Sequence, residues 1–103
     1  MTASGYCYIW EYRIRSGTEA EFRGQYGADG PWVRLFRQAP GYLETRLLQD
    51  LDRPGRFVTI DRWADRAAFA DFRRRFAREF AELDERCATL TEHEAELGRF
   101  EEA

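Results

Sequence analysis

The sequence predicts an α+β fold of the ferredoxin-like type, βαββαβ, with a four-stranded antiparallel sheet and helices on one face of that sheet. Three observations predict this fold class. Aromatic and β-branched residues alternate over residues 6–14, as in a strand. Pro54-Gly55 separates two further alternating runs, as in an antiparallel hairpin. Apolar residues then recur every three or four positions from 69 to 90, which predicts a long amphipathic helix.

The segment after the first strand is expected to hold two short helices. Ser16 and Glu19 have the spacing of a capping box, which predicts a helix that runs to about Tyr26. The glycines of GADG then interrupt the helical pattern, and Pro31 suits the first position of a second helix. The run YLETRLLQD, residues 42–50, predicts the second strand.

The second half of the chain is expected to hold the third strand, the long helix and a last strand. The third strand lies in RFVTIDRWAD, Arg56 to Asp65, and Asp65 is expected to cap the long helix. In TLTEHEAELGRF, Thr91 and Glu94 have capping-box spacing, but the alternating pattern favours a strand. Strict alternation places Thr91, His93, Ala95 and Leu97 on one face, and Glu92, Glu94 and Glu96 on the other.

Length and composition predict a single domain that spans residues 1–103. The chain is long enough for one hydrophobic core, and its 44% hydrophobic and 34% charged residues are typical of a globular protein. A net charge of −3 provides no field to attract nucleic acid. The one basic run, Arg73-Arg74-Arg75, lies among acidic residues, as on a solvated helix face. We therefore expect no nucleic-acid partner.

The sequence also shows no membrane, secretion or metal signal. It has no run of about 18 apolar residues, and its first residues, MTASGYCY, do not resemble a signal peptide. We therefore expect a cytoplasmic protein without a membrane partner. Cys7 and Cys87 are far apart and lack metal-ligand spacing, so we expect reduced thiols and no metal site.

Both faces of the first and third strands are apolar, although the predicted helices cover only one face of the sheet. Cys7 and Ile9 oppose Tyr8 and Trp10 in the first strand, and Val58 and Ile60 oppose Phe57 and Trp63 in the third. A monomer would expose an apolar patch on the order of several hundred Å². We therefore expect a homodimer in which the two sheets face each other.

Several segments occur in an order that is found in a known family. They are WEYRIRSGTEAEF, then PW and LFRQAPGYLETRLLQD, then FVTIDRW with FADF, and finally LTEHEAELGRF. In this order and spacing the chain resembles the antibiotic biosynthesis monooxygenase family, a branch of the dimeric α/β-barrel proteins. The resemblance covers nearly the whole chain. It implies that Trp63, the tryptophan that closes the third strand, lines an active-site cavity between sheet and helices.

The resemblance separates the activities found in that family. Members that oxidise aromatic polyketides have an asparagine where this chain has Thr59, which weakens that assignment. Haem-degrading members have an asparagine where this chain has Tyr12. They also have a haem-ligating histidine on the long helix that follows the third strand. Here that helix offers only arginines. The resemblance therefore argues against haem degradation.

Oxygenation without a cofactor needs a dry pocket, a proton acceptor and dipoles that hold the substrate anion. Asp61 is our candidate acceptor, with a pKa raised by burial, and Thr59 is a candidate to hydrogen-bond a substrate oxygen. The alternatives are an ion pair or an exposed place near the strand end for Asp61, and simple core packing for Trp63. His93 suits a base near neutral pH, or a place on the rim of the last strand. Candidate walls are Tyr8, Trp10, Tyr12, Trp32 and Phe36, with Phe69 and Phe72 from the long helix.

Two functions are therefore considered. The first is a cofactor-independent monooxygenase that acts on an aromatic phenol, quinol or polyketide-type substrate in each subunit, with no metal or flavin. The second is a non-catalytic protein of the same fold, which holds a small apolar ligand or simply fills its core with aromatic residues.

Overall fold

In the computed structural model, which describes residues 5–103, four antiparallel strands form one sheet in the order β2-β3-β1-β4. The strands are β1 (Tyr6–Ile14), β2 (Tyr42–Gln49), β3 (Arg56–Trp63) and β4 (Thr91–Glu101). The helices are α1 (Glu19–Tyr26), α2 (Pro31–Phe36), α3 (Arg66–Arg75) and α4 (Ala77–Cys87), and a 3₁₀ turn at Ala88–Leu90 leads into β4. This arrangement confirms the ferredoxin-like fold class.

The N-terminal segment MTASGYCY, in which no signal peptide was predicted, lies partly outside the described residues. Among the helices of residues 5–103, none has the length and apolar character needed to cross a membrane.

The two central strands align their side chains so that one sheet face is buried under the helices. Antiparallel pairing places Tyr8 of β1 opposite Asp61 of β3, and Trp10 opposite Thr59. Because side chains alternate along a strand, these four residues point to the same face. Tyr8, Thr59 and Asp61 are buried there, although all three carry polar groups that an apolar core does not favour.

Aromatic rings fill the space between this sheet face and the helices. The Trp63 side chain is fully buried, and its ring centroid lies 5.2 Å from that of Phe72 and 5.4 Å from that of Phe69. Phe36 of α2 meets both Trp63 and Phe72 edge-on, at 5.7 and 5.3 Å. Tilted and edge-to-face contacts of this kind are the favoured geometries for aromatic pairs. The rings therefore fix how α2 and α3 pack on the sheet.

The long helix expected from residue 69 onward is broken at Phe76, so the prediction of one helix was wrong. Phe76 leaves helical geometry at φ −113° and ψ 28°, between the end of α3 and the start of α4. Apolar spacing does not reveal the break because α3 and α4 turn their apolar sides toward the same core. The cap prediction is confirmed, since Asp65 Oδ1 accepts a 2.8 Å hydrogen bond from the Ala68 N–H.

The capping box predicted from Ser16 and Glu19 does not form. Thr18 is the residue that precedes α1, and its side chain makes no capping bond to that helix. Its hydroxyl instead donates to the carbonyl oxygens of Arg15 and Leu90, at 2.8 and 3.0 Å. The sequence signal fails here because this hydroxyl ties the start of α1 to the residue just before β4.

The strand interpretation of residues 91–100 is confirmed, but the strict alternation is not. Two register shifts in the pairing of β1 with β4 place Thr91 opposite Ile14 and Glu94 opposite Tyr12. Each extra residue in a strand turns the following side chains to the other face. As a result Thr91 is buried, whereas His93 lies opposite the exposed Arg13.

Gly41→Ala is expected to destabilise the protein more than Gly55→Ala. Both glycines have a positive φ, 91° and 86°, so each substitution carries a similar backbone cost of about 1–2 kcal/mol. Only at Gly41 would the new Cβ also lie 2.6 Å from the Ala68 Cβ, which adds about 1–3 kcal/mol of overpacking. Urea unfolding at one fixed protein concentration measures the difference. Equal midpoints for the two variants would contradict the close approach of this turn to α3.

Candidate functional site

A cavity of about 430 Å³ lies between the buried sheet face and the helices. Its floor comes from the four strands β1 to β4, and the helices α1 to α4 supply the opposite wall. The aromatic lining is Tyr8, Trp10, Tyr12, Tyr26, Trp32, Phe36, Phe69 and Phe80. A cavity of this size, with apolar walls and a few polar groups, is suited to a small aromatic molecule.

Asp61 is the most buried acidic group in the lining and has hydroxyl groups as partners. Only 5% of its surface is exposed. Its Oδ1 accepts a 2.6 Å hydrogen bond from the Thr45 hydroxyl, which in turn accepts a 2.7 Å bond from the Tyr42 hydroxyl. Within residues 5–103, Asp61 forms no ion pair. The ion pair considered from the sequence is therefore not seen.

Burial raises the pKa of Asp61 to about 6, while hydrogen bonds from Thr45 and Tyr8 partly offset this rise. Because no ion pair within residues 5–103 holds Asp61 ionised, its charge is easily neutralised by a proton. A carboxyl with a pKa of about 6 is ionised at neutral pH and still able to accept a proton. This is the property required of a general base.

Two further hydroxyls meet next to this acid. The Tyr12 and Thr59 hydroxyl oxygens are 3.0 Å apart and share one hydrogen bond in the buried interior. Burial raises the pKa of Tyr12 well above its usual value, so this phenol stays neutral. The pair therefore presents neutral hydrogen-bonding dipoles to the cavity and no second base.

Trp63 does not line the cavity. Tyr42, Phe36, Phe69 and Phe72 surround its ring at centroid distances of 5.2–5.7 Å. Its indole N–H is buried and has no hydrogen-bond partner among the described residues. The structure thus places this tryptophan in the core, behind Phe36 and Phe69, which do reach the cavity.

Two other candidate residues also lie elsewhere. Phe72 is fully buried in the core. His93 lies on the opposite face of the sheet, where its Nε2 is 3.4 Å from a Glu11 carboxylate oxygen. The cavity does bring together the remaining candidates, which are Tyr8, Trp10, Tyr12, Trp32, Phe36, Thr59, Asp61 and Phe69.

The sequence interpretation missed Thr45 and the charged groups around the opening. Counting back across the Pro54-Gly55 hairpin pairs Thr45 with Asp61, so register was the available signal. Arg73 follows Phe69 by four residues, one helical turn, and Asp84 follows Phe80 by the same step. The charged lining residues besides Asp61 are Arg73, Asp84, Glu94, Glu96 and Arg99. No group of three or more metal-ligating side chains is found within residues 5–103.

Thr45→Val is expected to raise the pKa of Asp61 above about 6. The substitution removes a hydrogen bond that favours the ionised carboxylate, while the side-chain shape is nearly kept. A ¹³C NMR titration of the Asp61 carboxyl carbon measures the change. Thr59→Val is the matched control, because the Thr59 hydroxyl bonds to Tyr12 and not to Asp61. An unchanged pKa in Thr45→Val would show that this hydrogen bond does not act on the carboxyl.

Comparison of the fold with solved structures finds similar chains. SnoaB from Streptomyces nogalater, described as a cofactor-independent oxygenase, is 24% identical with a TM-score of 0.75, and the match covers 95% of this chain and 92% of SnoaB. A candidate antibiotic biosynthesis monooxygenase from Bordetella bronchiseptica is 19% identical with a TM-score of 0.75, over 97% and 98% of the two chains. A conserved protein from Methanosarcina mazei is 11% identical with a TM-score of 0.73, over 98% and 95%.

Sequence comparison identifies the family directly. No protein of curated function shows significant sequence similarity to this chain. Residues 6–86, however, match the family described as antibiotic biosynthesis monooxygenase, and this stretch contains β1 to β3 and nearly all of α4. The chain belongs to the antibiotic biosynthesis monooxygenase family.

Proposed function

We propose that the protein is a cofactor-independent monooxygenase that acts on an aromatic phenol or quinol in the cavity. The observation that carries this proposal is Asp61, a buried carboxyl in the wall of an aromatic cavity that has no ion-pair partner in the described part of the chain. With a pKa of about 6, Asp61 is ionised at neutral pH and can take a proton from a bound hydroxyl. The remaining chemistry then belongs to the electron-rich substrate anion and to oxygen.

The protein's part in this reaction is binding, proton transfer and exclusion of water. The flat walls hold the ring system, Asp61 takes the proton, and the electron pair of the broken O–H bond stays on the substrate. The anion passes an electron to O₂, and recombination followed by loss of water leaves a ketone. For an anthrone, the CH₂ group and O₂ become C=O and H₂O. The Tyr12 and Thr59 hydroxyls are placed to hydrogen-bond a substrate oxygen during these steps.

Family and fold support the same class of reaction. The family is named for monooxygenases, and SnoaB, which shares the fold, is described as a cofactor-independent oxygenase. Neither observation identifies the substrate of this chain. The substrate class is therefore proposed from the cavity, whose aromatic lining favours flat, apolar molecules.

A second candidate function is binding of a small aromatic ligand without chemistry. It is favoured by the position of Trp63, the residue whose active-site role the family resemblance implied. That tryptophan is packed in the core and has no surface in the cavity. A protein that keeps the aromatic pocket but has lost the reaction would be consistent with this arrangement.

Oxygen uptake with dithranol, 1,8-dihydroxy-9-anthrone, is expected to fall at least about a hundredfold in Asp61→Asn, because a positioned general base contributes rate factors of this order. The rate of the unmodified protein is expected to rise as pH passes through about 6, since Asp61 must be ionised to accept the proton. An oxygen electrode measures both. Asp52→Asn is the control, because Asp52 is an exposed residue of the hairpin loop.

Two results would contradict the enzyme proposal. The first is full activity in Asp61→Asn. The second is the absence of uptake above the uncatalysed rate across a panel of anthrones and hydroquinones, which would favour the binding function.

We also propose that the protein forms a homodimer through its outer face, meaning the sheet face that points away from the helices. Ile9 pairs with Ile60 and Leu48 with Val58 on this face, so apolar residues cross the sheet. Leu48 and Phe100 are 45% and 52% exposed. None of the helices in residues 5–103 covers them, because all pack on the other side. A second sheet packed against this face would bury the patch.

Leu48→Glu is expected to weaken this association, because it places a charge in the apolar interface. Leu51→Glu is the matched control, since Leu51 is 94% exposed in the β2–β3 loop, beyond the end of β2. Sedimentation equilibrium at micromolar concentration should give about twice the chain mass for the unmodified protein and for Leu51→Glu. The mass of one chain for the unmodified protein would contradict the proposed dimer.

A further inference from the structure

Apart from Asp61, the charged groups that line the cavity differ in sign between its two ends. The charged lining groups are Asp61, Arg73, Asp84, Glu94, Glu96 and Arg99. In the pairing of β1 with β4, Arg99 lies opposite Tyr8, Glu96 opposite Trp10 and Glu94 opposite Tyr12. Cation and anion are therefore at opposite ends of the β4 lining, with Glu96 between them.

The side chains on the helices follow the same order. Burial strongly raises the pKa of Tyr8, and the positive charge of Arg73 slightly offsets this rise. Burial raises the pKa of Tyr12, the hydrogen bond to Thr59 lowers it, and the negative charges of Asp61, Glu94 and Asp84 raise it further. One end of the cavity, beside Tyr8, is therefore cationic, and the other end is acidic.

Asp61 lies at the cationic end. The strand register places it opposite Tyr8. Burial is the largest cause of the raised pKa of Tyr8, and the negative charge of Asp61 is the next. The candidate proton acceptor and the arginines therefore share one end of the cavity. A negative charge that moves from Asp61 to a bound molecule would stay close to the same cations.

Arg73 contacts an aromatic ring and has no carboxylate partner among the described residues. Its guanidinium carbon lies 3.9 Å from the centre of the Phe80 ring, a cation–π geometry. Its neighbours Arg74 and Arg75 both pair with Asp71 on the outside of α3. Within residues 5–103, Arg73 forms no ion pair, so its N–H groups are available to an anion in the cavity.

We infer that Arg73 stabilises the substrate anion that forms when Asp61 takes the proton, an inference that rests on the proposed function. In this step the substrate O–H bond breaks, the proton binds to a carboxyl oxygen of Asp61, and the electron pair stays on the substrate oxygen. The negative charge thus leaves Asp61 and appears on the substrate. Arg73, an exposed residue of α3 that lines the cavity, attracts this charge from the cavity opening.

The charge order also selects one orientation of the substrate. A hydroxyl at the cationic end ionises more easily, whereas a hydroxyl beside Glu94 and Asp84 is held neutral by their charges. We therefore expect the substrate to be an aromatic compound with an acidic phenolic or enolic hydroxyl, bound with that hydroxyl toward Asp61 and Arg73.

The inference is tested with 2-hydroxyanthraquinone, whose absorbance changes when its hydroxyl ionises. The compound is already at the quinone level, so its ionisation can be titrated in the bound state without oxygen uptake. Arg73→Gln is expected to raise the pKa of the bound hydroxyl by about one unit, and Arg73→Lys by less, because an opposite charge nearby favours ionisation. Arg78→Gln, which removes the same charge from an exposed position on α4, should leave that pKa unchanged.

The outcomes of this titration distinguish a failure of the Arg73 inference from a failure of the proposed reaction. An equal bound pKa in the unmodified protein and Arg73→Gln would overturn the role of Arg73, as would an equal rise in Arg78→Gln. A higher pKa of the bound hydroxyl in Arg73→Gln alone would support the role of Arg73. If no anthrone then gave oxygen uptake, the oxygenase proposal would be contradicted. Failure of the compound to bind to the unmodified protein would overturn the inference about Arg73, whereas oxygen uptake on the anthrone panel would still decide the oxygenase proposal.

Discussion

Asp61 is buried in the sheet beside hydroxyl groups and, within residues 5–103, forms no ion pair, and the other features of the site depend on this placement. Burying a carboxyl disfavours its charged form, which is why the pKa of Asp61 rises to about 6. The folded protein therefore binds this proton more tightly than the unfolded chain does. Asp61 thus contributes stability below about pH 4, and that contribution is lost as pH rises through about 6. The aromatic core must offset the cost at neutral pH.

The core and the cavity are two parts of the same aromatic layer. Where rings from α2 and α3 meet Trp63, they fill the space completely and fix the helices on the sheet. Beside Asp61 the same layer surrounds the cavity of about 430 Å³. The sheet can hold a polar group here because Thr45 donates a hydrogen bond to it. The aromatic layer therefore has two parts. One is the closely packed core around Trp63, and the other is the cavity with Asp61 in its wall.

Local patterns predict this fold well, because strand alternation, the Pro54-Gly55 turn and the apolar stripe each report the local backbone. They fail where tertiary contacts decide. The Ser16–Glu19 capping box does not form, because Thr18 precedes α1 and its hydroxyl donates to the Leu90 carbonyl, and the register shifts in β4 break the expected alternation. For the site, the burial of Asp61 follows from strand alternation. The absence of an arginine ion pair to Asp61 within residues 5–103 does not. The position of Trp63 depends on how rings from three elements pack together, which no spacing in the sequence records.

The central claim is that a bound aromatic hydroxyl meets Asp61 inside the cavity. The most direct test is a crystal structure of the protein with 2-hydroxyanthraquinone bound. Our account predicts the ring system between the sheet and the α1–α4 wall, with its hydroxyl oxygen about 2.6–3.2 Å from an Asp61 carboxyl oxygen. A ligand bound outside the cavity, or an Asp61 carboxyl turned away to pair with an arginine, would contradict it.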